Sequence, residues 1–378
     1  MKVKLFGLFL PVILLLSVVI SCGSTPETPP DETPTTVTPP PAPPPAPPPV
    51  DPNSARPDQT ALNNLDAAAQ RLEEARKMIE DFYGNQYFPE DWANAESLYE
   101  RAQRERKTGT AGEVRDSIAL YNDAAAAYEA MLEKTMARYA EDLENQIVAA
   151  RNNALASGAA YLAPDYLLDI DNAAADALAL YQAKDYYKAR DAGTQVLDMY
   201  KILGVGVDAY KLRLEIEERD FYRYDPSNIA AADAIALSAL DDYATRNLVA
   251  LGAKANDLLT RYTRSLNIAL QAYATDCGAA ASLERQKALD LRANVAVRQE
   301  YDEANTIFIQ GINAFQMRDF DHSAIFYLQA RDLFITVTDS ARERRRIAEE
   351  TLREAERRMA ESDELAQRAE SIIEGGAR

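Results

Sequence analysis

The sequence after residue 57 predicts an all-α fold, an array of helical hairpins that stack as a solenoid or close into a compact helical-repeat bundle. This segment is rich in Ala, Leu, Glu, Asp, Arg and Tyr and poor in Gly, as helical proteins are. It has no run of alternating β-branched and polar residues that would indicate a strand. Apolar residues instead recur at helical spacing, beginning with Leu65, Ala68, Ala69, Leu72, Ala75, Ile79 and Phe82.

The helices are grouped in repeated units, and three of the units have a proline at the same point. Pro89, Pro164 and Pro226 stand in similar aromatic and alanine-rich contexts, 75 and 62 residues apart. A fourth copy, at 297–330, has no proline and is placed by the same pattern. Proline disfavours helical backbone in the residue before it and suits a first helical turn. Each unit is therefore predicted to be a long helix, a proline turn, a second helix, a short turn and a third helix.

The hairpins in copies two and four carry a more specific pattern. KDYYKARDAGTQVL, at 184–197, has Ala189 at a small-residue position of its second helix. RDFDHSAIFYLQAR, at 318–331, has Ser323, Tyr327 and Ala330 at corresponding positions, and Gly311 lies in the preceding helix. These segments resemble tetratricopeptide repeats. The resemblance implies stacked helical hairpins and carries no enzymatic activity.

Copy two also resembles an uncharacterised domain of bacterial envelope lipoproteins, with the pattern G-A-x-x-x-A-P-x-x-L followed by D-Y-x-x-A-R. The matching residues are Gly158, Ala159, Ala163, Pro164, Leu167, Asp185, Tyr186, Ala189 and Arg190. Small residues at such helix crossings let neighbouring helices approach closely. The 20 tyrosines are read mainly as packing residues, and an aromatic-lined groove for an apolar ligand or peptide is the alternative.

A charged helix is predicted over residues 339–374. Its small and apolar positions alternate steps of four and three, the heptad spacing of a helix that packs along one seam. They are Ala348, Leu352, Ala355, Met359, Ser362, Ala366, Ala369 and Ile373. This helix is expected to cap the last repeat by packing on the helix around 324–337. The alternative is weak pairing with another copy or with a partner.

The first 22 residues have the anatomy of a secretory signal. Lys2 and Lys4 precede an apolar stretch, and Ser21 precedes Cys22. VISC resembles the lipobox of bacterial lipoproteins, which implies cleavage before Cys22 and acylation of its thiol. A plain signal peptide or an uncleaved anchor helix is the alternative. Gly23 follows Cys22 instead of Asp, and by the sorting rule of enterobacterial lipoproteins this resemblance implies the outer membrane, with the body in the periplasm.

Residues 23–57 contain 15 of the 19 prolines. Such a segment forms neither helix nor sheet and favours extended polyproline II, so it is interpreted as a tether, with recognition of its PxxP motifs as the alternative. The predicted organisation is a signal peptide at 1–21, a lipidated cysteine and tether at 22–57, a repeat domain at 58–338 and a charged helix at 339–378.

No motif predicts catalysis, a metal site or a cofactor. His322 is the only histidine and is placed at a turn-to-helix junction, and the chain has no HExxH or CxxC motif. The glycines of GTAG at 109–112 and GVG at 204–206 are read as loops between helices. Cys277 is placed in an inter-helix turn as a buried apolar group, with an intermolecular disulfide as the alternative.

The net charge of −19 excludes nucleic acid and anionic lipid surfaces as ligands of the body. The sequence therefore predicts a lipid-anchored periplasmic scaffold or adaptor that binds an envelope protein through its helical repeats. A carrier of a hydrophobic small ligand in a helical groove is the second hypothesis. An envelope-remodelling enzyme is the third, and the missing catalytic residues argue against it.

Overall fold

The computed structural model describes residues 51–375, with side chains to residue 372, and confirms the all-α class. The described residues form helices and no strands. The signal peptide, Cys22 and the tether up to residue 50 lie outside the described residues. The α-helices are α1 (Gln59–Asp81), α2 (Gly84–Tyr87), α3 (Pro89–Glu105), α4 (Ala111–Ser157), α5 (Ala159–Leu162), α6 (Pro164–Gln182), α7 (Tyr186–Glu218), α8 (Pro226–Ala244), α9 (Leu248–Asp290), α10 (Ala293–Ala296), α11 (Arg298–Gln316) and α12 (Phe320–Gly375), with a 3₁₀ helix at Phe221–Tyr224.

Four units follow one plan. In each, a long helix ends, a single helical turn follows, a shorter helix runs back, and another long helix packs against both. The third helix of each of the first three units continues without a break as the first helix of the next unit, so α4, α7 and α9 each serve two units. The predicted order of helices is confirmed. The sequence analysis did not predict that neighbouring units share a long helix.

The long helices run parallel to one another. Gly193 of α7 lies against Leu143 of α4, and eleven residues further along both helices Gly204 lies against Ala154. A Cβ at Gly193 would come within 2.8 Å of Leu143 Cδ2. These glycines therefore have a packing role, because they allow two long helices to approach closely.

The unit boundaries have local causes. Pro89, Pro164 and Pro226 are the first residues of α3, α6 and α8, as predicted. Gly158 ends α4 with φ of 99°, a conformation that glycine adopts without a steric cost. Tyr83, Asp220 and Arg292 take the left-handed conformation at the same point of the other units.

A polar set of side chains recurs at each unit and joins its three helices. An arginine near the end of the first long helix donates a hydrogen bond to a carboxylate on the shorter helix. The same carboxylate accepts a hydrogen bond from a tyrosine hydroxyl on the next long helix. The sets are Arg76–Glu96–Tyr128, Arg151–Asp171–Tyr200 and Arg213–Asp233–Tyr262. The arginine and the acid are always 20 residues apart.

The fourth unit carries a neutral version of this set. Arg285 donates to Asn305 Oδ1 at 2.9 Å, again 20 residues away. Phe334 occupies the position of the tyrosine, and its ring is fully buried. A neutral amide accepts hydrogen bonds less strongly than a carboxylate does. The fourth unit thus lacks both the carboxylate and the tyrosine hydroxyl that would donate to it.

The structure corrects two sequence interpretations of short segments. GVG at 204–206 lies inside α7 and is not a loop, since Gly204 provides the close contact with α4. Cys277 lies within α9 and not in a turn, although its predicted burial is confirmed. GTAG does precede and begin a helix, where Thr110 and Glu113 form the capping box of α4.

The last helix is also different from its prediction. Residues 339–374 are not a separate helix, because α12 runs unbroken from Phe320 to Gly375. The segment therefore cannot fold back on residues 324–337, which belong to the same helix. Every residue from 342 to 372 is exposed. The expected cap on the last repeat is wrong.

The body also begins before residue 58. The carbonyls of Asn53 and Ala55 accept hydrogen bonds from the amides of Gly112 and Ala111, at 3.1 and 2.8 Å. Arg115 Nη2 donates to Asn53 Oδ1 at 2.6 Å. These bonds satisfy two of the free amides at the start of α4, so the final residues of the proposed tether are held against the first unit.

Candidate binding groove

An apolar groove lies where the first two units meet, between α4, α6 and α7. Its volume is about 340 Å³, near the lower end of the range of roughly 300–1,000 Å³ that small-molecule sites occupy. We call it the α4–α6–α7 groove. It is lined by Phe82, Met136, Tyr139, Ala140, Leu143, Glu144, Ile147, Val148, Ala174, Ala177, Leu178, Tyr181, Tyr186, Ala189, Arg190 and Gly193.

The shape of the groove follows from residue size at the helix crossing. Gly193 brings α7 close to α4, and Ala174 and Ala177 leave the inner face of α6 flat. Bulky side chains stand at its edges, where Val148 and Leu178 each remain 48% exposed. The groove is therefore open to solvent on one side and apolar within.

Aromatic side chains close the end of the groove nearest to α1. The rings of Phe82 and Tyr139 meet edge to face at 5.1 Å, and Tyr187 lies 5.2 Å from Phe82. Burial, followed by the hydrogen bond to Asp81, raises the pKa of Tyr187 to about 12. Burial also raises the pKa of Tyr139 and Tyr181. Burial therefore makes these phenols harder to ionise than an exposed tyrosine.

Arg190 is a charged residue at this aromatic end. Its guanidinium lies 5.4 Å from the ring centre of Phe82 and 5.2 Å from that of Tyr187, within the range of a cation–π contact. It also pairs with Asp191. The sequence identified Ala189 and Arg190 as part of a repeat motif, and the structure places both on the groove.

A second, smaller apolar groove is lined by residues of α6, α7, α8 and α9. It has a volume of about 160 Å³ and includes Tyr166, Leu240 and Tyr243. The rings of Tyr166 and Tyr243 are 4.8 Å apart. A Cβ at Gly206 would meet nothing within 4 Å, so this glycine leaves open space and does not mark a close helix contact.

The other residues singled out from the sequence lie elsewhere. His322 is in the first turn of α12, as predicted, with Nδ1 2.9 Å from Asp319. Burial raises the pKa of the Cys277 thiol. Cys22 lies outside the described residues. Among the residues that the structure describes, no three His, Cys, Asp or Glu side chains are grouped as metal ligands, and no helix is long and apolar enough to span a bilayer.

Most of the groove could not be identified from the sequence. The tyrosines suggested an aromatic-lined site, but they are distributed over all units and only some of them converge here. Phe82 and Tyr181 are 99 residues apart in the sequence and meet only through the packing of units one and two. The constant spacing of 20 residues between the arginine and the acid is visible in the sequence, and the units can be aligned on it without the structure.

Comparisons with models of known protein families, with curated proteins and with solved structures gave no match to this chain.

Proposed function

We propose that this protein is a lipid-anchored scaffold of the bacterial envelope that holds an apolar segment of a partner protein in the α4–α6–α7 groove. The observation that carries the proposal is the groove itself, an open apolar channel between helices with half-exposed aliphatic rims. Grooves of this kind accept the apolar face of an amphipathic helix. The signal-like N-terminus and its VISC sequence support export and anchoring through Cys22.

The charge of the body favours particular partners. With 60 acids against 41 basic residues, the protein attracts basic surfaces and repels acidic ones. A matching partner segment would have aliphatic residues at helical spacing for the groove and basic residues on its flanks. Such a segment would use the apolar lining for affinity and the acidic body for steering.

The groove also favours a second candidate, a carrier of an apolar small molecule. About 340 Å³ is enough for a small hydrophobic ligand, and Arg190 is available for a polar or anionic group at its aromatic end. The open rim is the main argument against this candidate, because most small-ligand sites bury 70–90% or more of their ligand.

Site-specific photocrosslinking in the native envelope separates the two candidates. We expect a photoreactive residue at Val148 or Leu178 to capture one discrete protein, because both side chains line the groove and are reachable from solvent. Leu237 is the matched control, since it is 70% exposed and lies outside the groove. A ligand that stays bound in native mass spectra, with no protein captured from either rim position, would favour the carrier. Equal capture from Leu237 would contradict a role for the groove.

The anchor is tested separately. Cys22→Ala should prevent the incorporation of labelled fatty acid and release the body from the membrane fraction, because multiple acyl chains are needed for stable attachment and each buried CH₂ contributes about 0.8 kcal/mol. The measurement is fatty-acid labelling together with membrane fractionation. Cys277→Ala is the control, and it should be labelled like the wild type. Labelled Cys22→Ala protein would exclude Cys22 as the acylated residue.

A further inference from the structure

The recurring polar sets align the four units residue by residue. Seven positions before the tyrosine of each set, or before Phe334 in the fourth unit, the residues are Tyr121, Gly193, Ala255 and Tyr327 in units one to four. Tyr121 and Tyr327 are both buried. Gly193 lines the α4–α6–α7 groove, and Ala255 lines the second groove. The outer units therefore carry a buried ring at the position where the inner units carry a small residue and have a groove.

The fourth unit shows how such a ring is accommodated. A Cβ added at Gly311 of α11 would lie 2.8 Å from Cδ1 of Tyr327, and one added at Gly278 of α9 would lie 3.0 Å from its Cε2. Neither helix has a side chain at the point where the tyrosine ring lies against it. The packing of α9, α11 and α12 is thus built around the ring of Tyr327.

The same positions surround the second groove. The residues of the third unit that align with Tyr327, Gly311 and Gly278 are Ala255, Ala239 and Gly206. All three line the second groove. Because a Cβ at Gly206 would meet nothing within 4 Å, the space beside it is open. The second groove is therefore the counterpart of the space that a tyrosine ring fills in the fourth unit.

The dimensions of the second groove suit a single aromatic ring. Its volume of about 160 Å³ is well below the roughly 300–1,000 Å³ of small-molecule sites, whereas an apolar cavity of about 150 Å³ binds benzene. Its lining is apolar except for Tyr166 and Tyr243. Tyr166 and Leu240 are 39% and 52% exposed, so the groove is open to solvent. A ring can therefore enter it from outside the protein.

The lining favours a ring without a hydroxyl group. In the first unit the hydroxyl of Tyr121 donates a hydrogen bond to Oε1 of Gln103 at 3.2 Å. The residue of the third unit that aligns with Gln103 is Leu240, which lines the groove and cannot accept a hydrogen bond. Since a buried hydroxyl without a partner is destabilising, a phenyl ring fits this site better than a phenol.

The ring has to come from a different protein. A second copy does not offer one from its body, because no Phe or Trp side chain is exposed among residues 51–372. The segment of residues 23–57 contains no Phe, Tyr or Trp. A free aromatic molecule is disfavoured by the open rim, since small-ligand sites bury 70–90% or more of their ligand. A partner's side chain needs no such enclosure, because its backbone stays outside the groove.

We propose that the second groove binds one phenylalanine side chain of a partner protein. The partner's ring takes the place that Tyr327 fills in the fourth unit, between α7, α8 and α9. The second groove shares no lining residue with the α4–α6–α7 groove. The two sites are tested by different variants, and failure of either proposal leaves the other intact.

Disulfide exchange at the rim of the second groove tests the proposal with a defined probe. Leu240→Cys places a thiol beside the groove in the full-length protein in lipid nanodiscs. The probe is phenylethanethiol in competition with mercaptoethanol, and intact mass spectrometry measures the fraction of each mixed disulfide. Leu237→Cys is the matched control, because it is 70% exposed on the same helix and lies outside the groove. The protein without an added cysteine gives the background.

We expect the exchange constant for phenylethanethiol to be about tenfold higher at Leu240→Cys than at Leu237→Cys, because the phenyl ring is removed from water only in the groove. Two variants that fill the groove should remove this preference. Ala255→Phe supplies a ring from α9, as Tyr327 does from α12, and Gly206→Leu places a side chain in the open space. Either variant should bring the two constants within about twofold of each other.

Circular dichroism establishes that the filling variants fold, and Gly206→Leu serves alone if Ala255→Phe does not fold. Equal exchange constants at Leu240→Cys and Leu237→Cys in the otherwise unchanged protein would overturn the proposal. A preference that persists in a folded filling variant would overturn it as well, because the ring would then be bound elsewhere.

The identity and the source of the ring are tested with the same proteins. Methylbutanethiol, which resembles a leucine side chain, and hydroxyphenylethanethiol, which resembles tyrosine, should show a smaller preference for Leu240→Cys than phenylethanethiol does. An equal or larger preference for either would overturn the assignment of phenylalanine. Mass spectrometry of an organic extract tests the source. An aromatic small molecule that is present in stoichiometric amount in the wild type and lost from Ala255→Phe would overturn the assignment to a partner protein.

Discussion

Asn145→Pro should lower the free energy of unfolding of the body by about 3 kcal/mol or more. Asn145 is exposed in the interior of the second half of α4, so the substitution removes no buried side chain. Its effect comes from the lost backbone hydrogen bond and the clash of the proline ring with the preceding turn. Because α4 belongs to both the first and the second unit, a break at this point should also separate their melting into two transitions. The measurement is urea unfolding followed by circular dichroism.

Gln367→Pro is the control for this prediction. It introduces the same residue into an exposed position of α12, but within residues 342–372, where nothing packs on the helix. The body should unfold at the same urea concentration as the wild type. If Asn145→Pro were equally harmless, the two units would be independent, and the shared helix would have no part in coupling them.

Asp171→Ala should destabilise the second unit by about 2 kcal/mol. Asp171 accepts two hydrogen bonds of 2.8 Å from Arg151 and one from the Tyr200 hydroxyl, whose ring is buried. Removing the carboxylate leaves the hydroxyl and the guanidinium without their shared partner. Thermal or urea unfolding measures the loss.

The fourth unit supplies the control for Asp171, because it contains Asn305 and Phe334 in place of the acid and the tyrosine. The double variant Asp171→Asn, Tyr200→Phe reproduces that neutral arrangement. It should recover about half of the stability that Asp171→Ala loses, since no hydroxyl is left unpaired. A double variant as unstable as Asp171→Ala would show that the carboxylate stabilises the unit through interactions other than those with Arg151 and Tyr200.

The contribution of Asp171 also depends on pH. The hydrogen bonds from Arg151, followed by the bond from Tyr200, outweigh burial and lower the pKa of the Asp171 carboxyl in the folded protein. The stabilisation is therefore fully present above the unfolded pKa of about 3.9 and is lost as the pH falls through the folded pKa. The stability difference between wild type and Asp171→Asn should be constant from pH 5 to 7 and should decrease below about pH 4.

The helical class, the unit order and the starts of α3, α6 and α8 were predictable from the sequence, because they depend on local chemistry. A proline in a first helical turn acts through its own ring and the residue before it. Pro89, Pro164 and Pro226 therefore marked α3, α6 and α8 correctly. The apolar face from Leu65 to Phe82 was recognisable for a similar reason, since helical periodicity is a property of neighbouring residues.

Only the tertiary structure decided how those helices meet. GVG at 204–206 looked like a loop because glycine usually ends helices, but the close approach of α4 makes Gly204 a packing residue inside α7. The start of the last helix was placed at 339 because its charged composition changes there. The backbone continues unbroken from Phe320, since a change of side chains from buried to solvated does not interrupt helical hydrogen bonding. The α4–α6–α7 groove likewise depends on residues that are distant in the sequence. Its volume and its opening to solvent are set by how three helices pack, and no single helix sequence determines them.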